Sequence, residues 1–200
     1  VDPADIARSV ADWGRIQARA PSWRGHPCQQ FPSDLWRYAE LVHELSPPWV
    51  LECGTAGGGT ALFLADALRS AGSDGVVMTA DTDPRAWTVI GHPNLEVWQC
   101  DALDEGLVRR VAARARERGR GLVLLDDDHS GPHVLEELEA YAPLAAYLVC
   151  EDTLMEHLPG YGWGPHEALA KWLPAHPEFT PDPEPVPSNH PGGWLRRRGA

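Results

Sequence analysis

The chain has 200 residues, and its 17 basic and 29 acidic side chains leave a formal charge of −12. That length suits one domain with a sizeable core. So acidic a balance argues against a phosphate-backbone partner, whose affinity comes from Lys and Arg. There is no apolar run of about 18 residues, and no charged-then-apolar leader before a small-residue cleavage site. The expectation is a soluble, cytoplasmic protein with neither a membrane nor a nucleic-acid partner. Cys28, Cys53, Cys100 and Cys150 form no CxxC pair, and three of them close apolar runs, which predicts free thiols in a reducing compartment.

In chain order, residues 1–45 read as a helical arm with a loop, "APSWRGHPCQQFPSD", ending in a helix over Asp34–Leu45 that "SPP" stops. Residues 46–200 read as the core. "WVLEC" (Trp49–Cys53) is a first buried strand, followed by a helix over Thr60–Gly72 that glycine ends. "GVVMTA" (Gly75–Ala80) and "LEVWQC" (Leu95–Cys100) are the second and third strands. In "DEGLVRRVAARARERGRG", Leu107, Val111 and Ala115 recur every four residues, so one helix face is buried and its arginines form a solvated face. "LVLL" (Leu122–Leu125) is the fourth strand, a helix starts at Pro132, and "AAYLVC" (Ala145–Cys150) is the fifth strand. A last helix covers "HEALAKWL", and the proline-rich tail reads as an edge hairpin or irregular connection finishing in a strand near Gly193–Arg197. Alternating strands and helices predict a doubly wound, mostly parallel α/β sheet of Rossmann-like form with an antiparallel edge strand. Ligands in such sheets sit beyond the carboxyl ends of the strands.

The first strand runs into "LECGTAGGGTALF": Glu52, Gly54, Thr55, Gly57, Gly58 and Gly59, then a helix. Glycines there let backbone approach a ligand, and a helix start offers free N–H groups. The pattern is neither GxGxxG nor a phosphate loop, since no Lys-Ser/Thr follows. E-x-G-x-x-x-G resembles the first motif of class I S-adenosylmethionine-dependent methyltransferases. Asp81 and Asp101, at the next two strand ends, stand where that fold meets the ribose hydroxyls and the adenine. A ligand-free tight turn is the competing reading of the glycines alone.

The fourth strand ends in Asp126, Asp127, Asp128 and His129, and the fifth in Glu151 and Asp152. Adjacent parallel strands bring such ends together, and unpaired carboxylates are costly to bury. Three hard oxygen donors, Asp126, Glu151 and Asp152, suit Mg²⁺ or a similar hard divalent ion. Asp127 and Asp128 read as a solvated acidic loop or at most as supporting groups, and the sequence leaves open which of Asp126 and Asp128 is the metal ligand. His129 reads as a general base or a helix-start residue with equal weight. His133, His43, His92 and His176 read as surface or packing residues. Trp13, Trp23 and Trp163 are candidates for stacking on an acceptor ring, and "GYGWG" (Gly160–Gly164) for a lid.

"DWGRIQ", "QFPSD", "VLECGTAGGGTALFLADAL", "ADTD", "LVLLDDDHS", "HVLEELEAYAPL", "YLVCEDT", "GPHEALAKWL" and "PGGWLRR" occur in that order. Together they resemble the cephalosporin hydroxylase family, which includes rhamnosyl O-methyltransferases of antibiotic pathways. The resemblance runs from Trp13 to the end. It implies a class I, metal-dependent O-methyltransferase in which Glu52, Gly54, Gly58 and Asp81 bind S-adenosylmethionine. It further implies that Asp126, Glu151 and Asp152 hold Mg²⁺ and that His129 is the base. The implied acceptor is a hydroxyl of a small natural product, a deoxysugar first and a phenol or catechol second. A non-catalytic cofactor-binding accessory protein is the rival of another class, and self-association is left open. Two departures stand out: a short stretch between Asp83 and His92, and Gly59 where a serine is common.

Overall fold

The computed structural model describes residues 3–83, 91–158, 160–185 and 187–199. The Asp83–His92 departure therefore lies largely outside the described residues. Helix α1 (Pro3–Gln17) leads into a small hairpin, β1 (Ser22–Trp23) and β2 (His26–Pro27), and then α2 (Pro32–Leu45). The first half of the main sheet uses β3 (Trp49–Cys53), α3 (Gly59–Ser70), β4 (Val76–Ala80) and β5 (Leu95–Trp98). The second half uses α4 (Glu105–Arg118), β6 (Gly121–Leu125), α5 (Gly131–Tyr141), β7 (Ala145–Cys150) and α6 (Pro165–Trp172). Strands β8 (Phe179–Pro181) and β9 (Trp194–Arg197) complete it.

Local chemistry sets these limits. In α2, Pro32 opens the first turn, and Tyr38, Leu41 and Val42 share the buried face. Ser46 ends it in the left-handed region, its N–H donating to the Val42 carbonyl, and Pro47 prevents continuation. Helix α4 begins where the Asp104 side chain accepts from the N–H groups of Gly106 and Leu107, and stops at Gly119.

The seven strands run in the order β5-β4-β3-β6-β7-β9-β8. The first five are mutually parallel, and β9 is antiparallel to both neighbours. The tail expected to close the sheet as an antiparallel edge does so: β8 and β9 form an antiparallel pair at the β7 end of the sheet. β9 lies beside β7, and β8 is outermost, where Pro181, opposite Leu195 of β9, has no further strand on its outer side among the described residues. Side chains alternate along each strand. Trp49, Leu51, Cys53, Val123, Leu125, Leu148 and Cys150 join the core under α4, α5 and α6. Val50, Leu122, Leu124, Tyr147 and Val149 join the one under α2 and α3. Both faces are covered, which is why these strands read as unbroken apolar runs.

No helix among the described residues is long and apolar enough to cross a membrane. At the start of β6, a Cβ on Gly121 would overlap both the ring and the carbonyl of the fully buried Trp49. Gly121→Ala is expected to lower the unfolding free energy by about 1–3 kcal/mol. At this chain size that is roughly 2–4 °C of Tm per kcal/mol. Thermal unfolding of the variant checks it, and an unchanged Tm would mean that β6 has slack against Trp49.

Candidate active site

The hydrogen-bond ladder runs one residue past the strands. Gly54 N donates to Ala80 O at 2.8 Å, Asp126 N to Cys53 O at 3.0 Å, and Glu151 N to Leu125 O at 2.9 Å. This brings Gly54, Asp126 and Glu151 level at the carboxyl edge. Gly54 lies at φ +91°, and a Cβ there would overlap the Asp126 carbonyl. Asp152 turns sharply at φ 53°, a conformation aspartate tolerates better than most residues.

One ligand atom each from Asp126, His129 and Asp152 lies within 4.8 Å of the others. His129 Nε2 is 3.2 Å from Asp152 Oδ2 and 3.9 Å from Asp126 Oδ1. Burial alone would lower the His129 pKa, but the hydrogen bond and charge of Asp152 outweigh it and raise the pKa. Glu151 sits one layer deeper, fully buried. Desolvation, followed by the facing Glu151 and Asp152 carboxylates, pushes Asp126 well above the usual carboxylate range. Burial does the same to Glu151, against hydrogen bonds from Tyr38 and Gln30.

Residues that local spacing could not reveal complete this floor. Gln30 Nε2, from the loop before α2, donates to Asp126 Oδ2 at 3.3 Å and also to Glu151 Oε2. Asn189 Nδ2 donates to Asp152 Oδ1, and Asn189 N to Asp34 Oδ2 at 2.7 Å. The Tyr38 hydroxyl lies 2.9 Å from His190 Nε2, which is 3.6 Å from Asp34 Oδ2. Burial pushes Asp34 up to about 8 and His190 down to about 3. The only sequence signal was the presence of "QFPSD" and "SNHPGG" as polar islands in loops.

Two adjoining cavities open above the strand ends. One, of 380 Å³, is walled by Ala80, Asp81, Cys100, Asp101, Asp127 and His133. The other, of 220 Å³, is walled by Trp13, Gln30, Thr55, Gly57, His129 and Asp152, among others. Gly54, Ala56, Asp126 and Asp127 wall both. Asp81 and Asp101 thus share one cavity, as their strand-end positions suggested. Asp81 also braces the glycine turn, its carboxylate accepting from Ala56 N and Asp83 N at 2.7 Å each.

Glu52 and Gly58 wall neither cavity. Gly58 supplies the positive φ, 75°, that starts α3. Glu52 lies beneath the turn, accepting from Thr79 Oγ1, which in turn meets Thr55 Oγ1 at 2.7 Å. Gly59 has its own explanation: a Cβ there would strike Pro27 and Cys28 of the N-terminal loop, so the serine common at this position does not fit. Trp13 does wall a cavity. Trp23 instead donates to Asp66 at 2.8 Å, and Trp163 covers Gly131 at the start of α5. Asp127 and His133, read from sequence as solvated or surface groups, face each other across 3.3 Å.

This sheet order, with a glycine turn after β3 and acids after β4 and β5, is the class I methyltransferase arrangement, and comparisons agree. The rhamnosyl O-methyltransferase/CmcI family matches residues 17–198. The rhamnosyl O-methyltransferase of Mycobacterium tuberculosis is 33% identical over 182 residues, 84% of this chain and 73% of that protein. A ligand-free CmcI structure superposes with a TM-score of 0.69 at 20% identity, covering 90% of this chain and 77% of that one. A CmcI structure with Mg and SAM gives 0.61 at 18% identity, covering 88% and 76%. The chain belongs to the rhamnosyl O-methyltransferase/CmcI family and is an S-adenosylmethionine-dependent O-methyltransferase.

Burial raises the Glu52 pKa from 4.5 to about 8 despite the Thr79 hydrogen bond. The folded state therefore keeps a proton that the unfolded state releases, so this contribution to stability is complete below pH 4.5 and is lost as pH rises towards 8. Denaturant unfolding across that window is expected to show a fall of up to about 1.4 kcal/mol per pH unit from this group, flattened in Glu52→Gln. An equally steep fall in the variant would assign the dependence to other groups.

Proposed function

We propose that this methyltransferase requires Mg²⁺ or a similar hard divalent ion and acts on a hydroxyl of a sugar, a deoxysugar first, within a small natural product. One observation carries the reading: carboxylates at the ends of β6 and β7 converge with His129 on the floor of a cavity that adjoins the cofactor cavity.

The residues present fit such an ion. Asp126, Glu151 and Asp152 press three carboxylates together, and among the described residues no Lys or Arg pairs with them. Glu151 Oε1 is buried with no hydrogen-bond partner. Asp126, Glu151 and Asp152 would hold the ion. When bound, S-adenosylmethionine supplies an electrophilic methyl group, and the ion a Lewis acid that favours ionisation of the acceptor hydroxyl.

The chain's own residues do the rest. Asp152, 3.2 Å from His129 Nε2, orients the imidazole and steadies its charge, and the ring nitrogen that Asp152 does not engage, Nδ1, takes the acceptor proton. Gln30 holds the Asp126 and Glu151 carboxylates in one arrangement from the side of the N-terminal loop. Asp81 and Asp101 offer acceptor oxygens to a ribose and an adenine in the first cavity. Trp13 provides an apolar wall for the acceptor ring, and positioning of the two reactants supplies much of the rate. The curated relatives are named for rhamnosyl O-methylation, which supports a deoxysugar over a phenol.

Calorimetric titration tests the metal. Asp126→Ala and Asp152→Ala are expected to lose Mg²⁺ binding while retaining S-adenosylmethionine binding. Undiminished Mg²⁺ affinity in both would remove these carboxylates from the metal site. His129→Ala is expected to keep both ligands and to lose about 10²–10⁴-fold in turnover on rhamnosyl glycosides. Loss of Mg²⁺ affinity in that variant would make His129 a ligand instead of the base, and preferred methylation of catechols in the wild type would overturn the sugar acceptor.

A further inference from the structure

We propose that Asp127, His133 and Glu137 form a second cation site, distinct from the Asp126–Asp152 cluster, which takes a zinc-class divalent ion.

His133 and Glu137 stand four residues apart on α5 and so project from the same face of the helix. Asp127 comes from the loop after β6 and meets them there. One ligand atom from each of the three lies within 4.8 Å of the other two. The His133 Nε2 to Asp127 Oδ2 separation is 3.3 Å. Adjacent ligands of a tetrahedral ion with bonds of about 2.1 Å lie about 3.4 Å apart, so this pair already has the needed spacing.

The second observation comes from Glu137. Its side chain is only 1% exposed, and its Oε1 has no hydrogen-bond partner. Among the described residues neither carboxylate of the trio pairs with Lys or Arg; Asp127 accepts from Asp128 N through Oδ1 and meets His133 through Oδ2. A buried carboxylate without a cation is costly, and burial together with the facing Asp127 pushes Glu137 well above its usual range. A divalent ion removes both penalties.

The donor set selects the ion. Both close groups hold two carboxylates and one imidazole, but the first also borders the Glu151 carboxylate, so an ion there can take three oxygens, whereas this trio offers one nitrogen and two carboxylates. Zinc accepts such a set, with three protein ligands and a fourth position left for water. Asp127 and His133 both wall the 380 Å³ cavity that the proposed function gives to S-adenosylmethionine, so that fourth position opens into it and is reached by solvent in the cofactor-free protein.

Cobalt(II), which mimics zinc and carries visible ligand-field bands, is the probe. The full chain is titrated in saturating Mg²⁺, and circular dichroism establishes that each variant is folded. One equivalent of Co²⁺ is expected to bind, with displacement by Zn²⁺. Asp126→Ala/Asp152→Ala is expected to retain it, while His133→Gln and Asp127→Asn each weaken it at least about tenfold. Absence of stoichiometric binding in the wild type would overturn the site. So would binding that survives His133→Gln and disappears in Asp126→Ala/Asp152→Ala, since the ion would then sit in the first cluster. Glu137→Gln need not fold for this outcome to be read.

Discussion

At Gly54 the chain leaving β3 passes so close to the Asp126 carbonyl that no side chain fits between them. The site depends on that approach. β3 and β6 are neighbours in the sheet but come from opposite halves of the winding, so their exits diverge around a crevice. The ladder holds those exits level, and only a residue without a Cβ lets Asp126 rise directly beside the glycine turn. The two cavities therefore share a wall, and under the proposed function a methyl group has a short path from one to the other.

The same geometry concentrates negative charge. Parallel strands that end in register carry their next residues to the same edge, and after β6 and β7 those residues are acidic. The protein answers the repulsion in layers. Gln30, from the loop before α2, ties Asp126 to Glu151 from one side. From the other, the segment before β9 supplies Asn189 to Asp152 and, with His190 and Tyr38, closes a buried polar layer around Asp34. Chain segments from both ends thus brace a site that the central strands create. Buried polar groups of this kind specify one arrangement when they are satisfied. Among the described residues, the buried carboxylate oxygens left without partners are one each on Asp34, Glu137 and Glu151; Glu137 belongs to the Asp127–His133 cluster, and Glu151 lies against Asp126.

The N-terminal loop has a further role. Pro27 and Cys28 sit where a Cβ on Gly57 or Gly59 would lie, so two of the turn's glycines owe their identity to the loop packed on them. Glycine-rich turns in α/β proteins are usually credited to the ligand. Here backbone packing accounts for Gly57 and Gly59 directly, and the strand approach accounts for Gly54.

By itself the sequence determined the winding order, because buried parallel strands read as apolar runs and helices as one-sided faces. It also placed Gly54, Asp81, Asp101, Asp126 and Glu151 at strand ends, since a strand's end is a local event. Tertiary structure alone decided which of these residues face a cavity. Glu52 turned out to support the glycine turn from below through Thr79 and Thr55, which no spacing rule distinguishes from contact with a ligand. It also decided that Gln30 reaches Asp126 across 96 positions, and that β9 enters the sheet ahead of β8. The same holds for Asp127, His133 and Glu137, which belong together only once α5 packs its buried face against the sheet. Periodicity and turn chemistry act over a few residues and are written in the chain. Convergence of side chains from distant segments depends on how faces pack, and many sequences with the same periodicity would pack those faces differently.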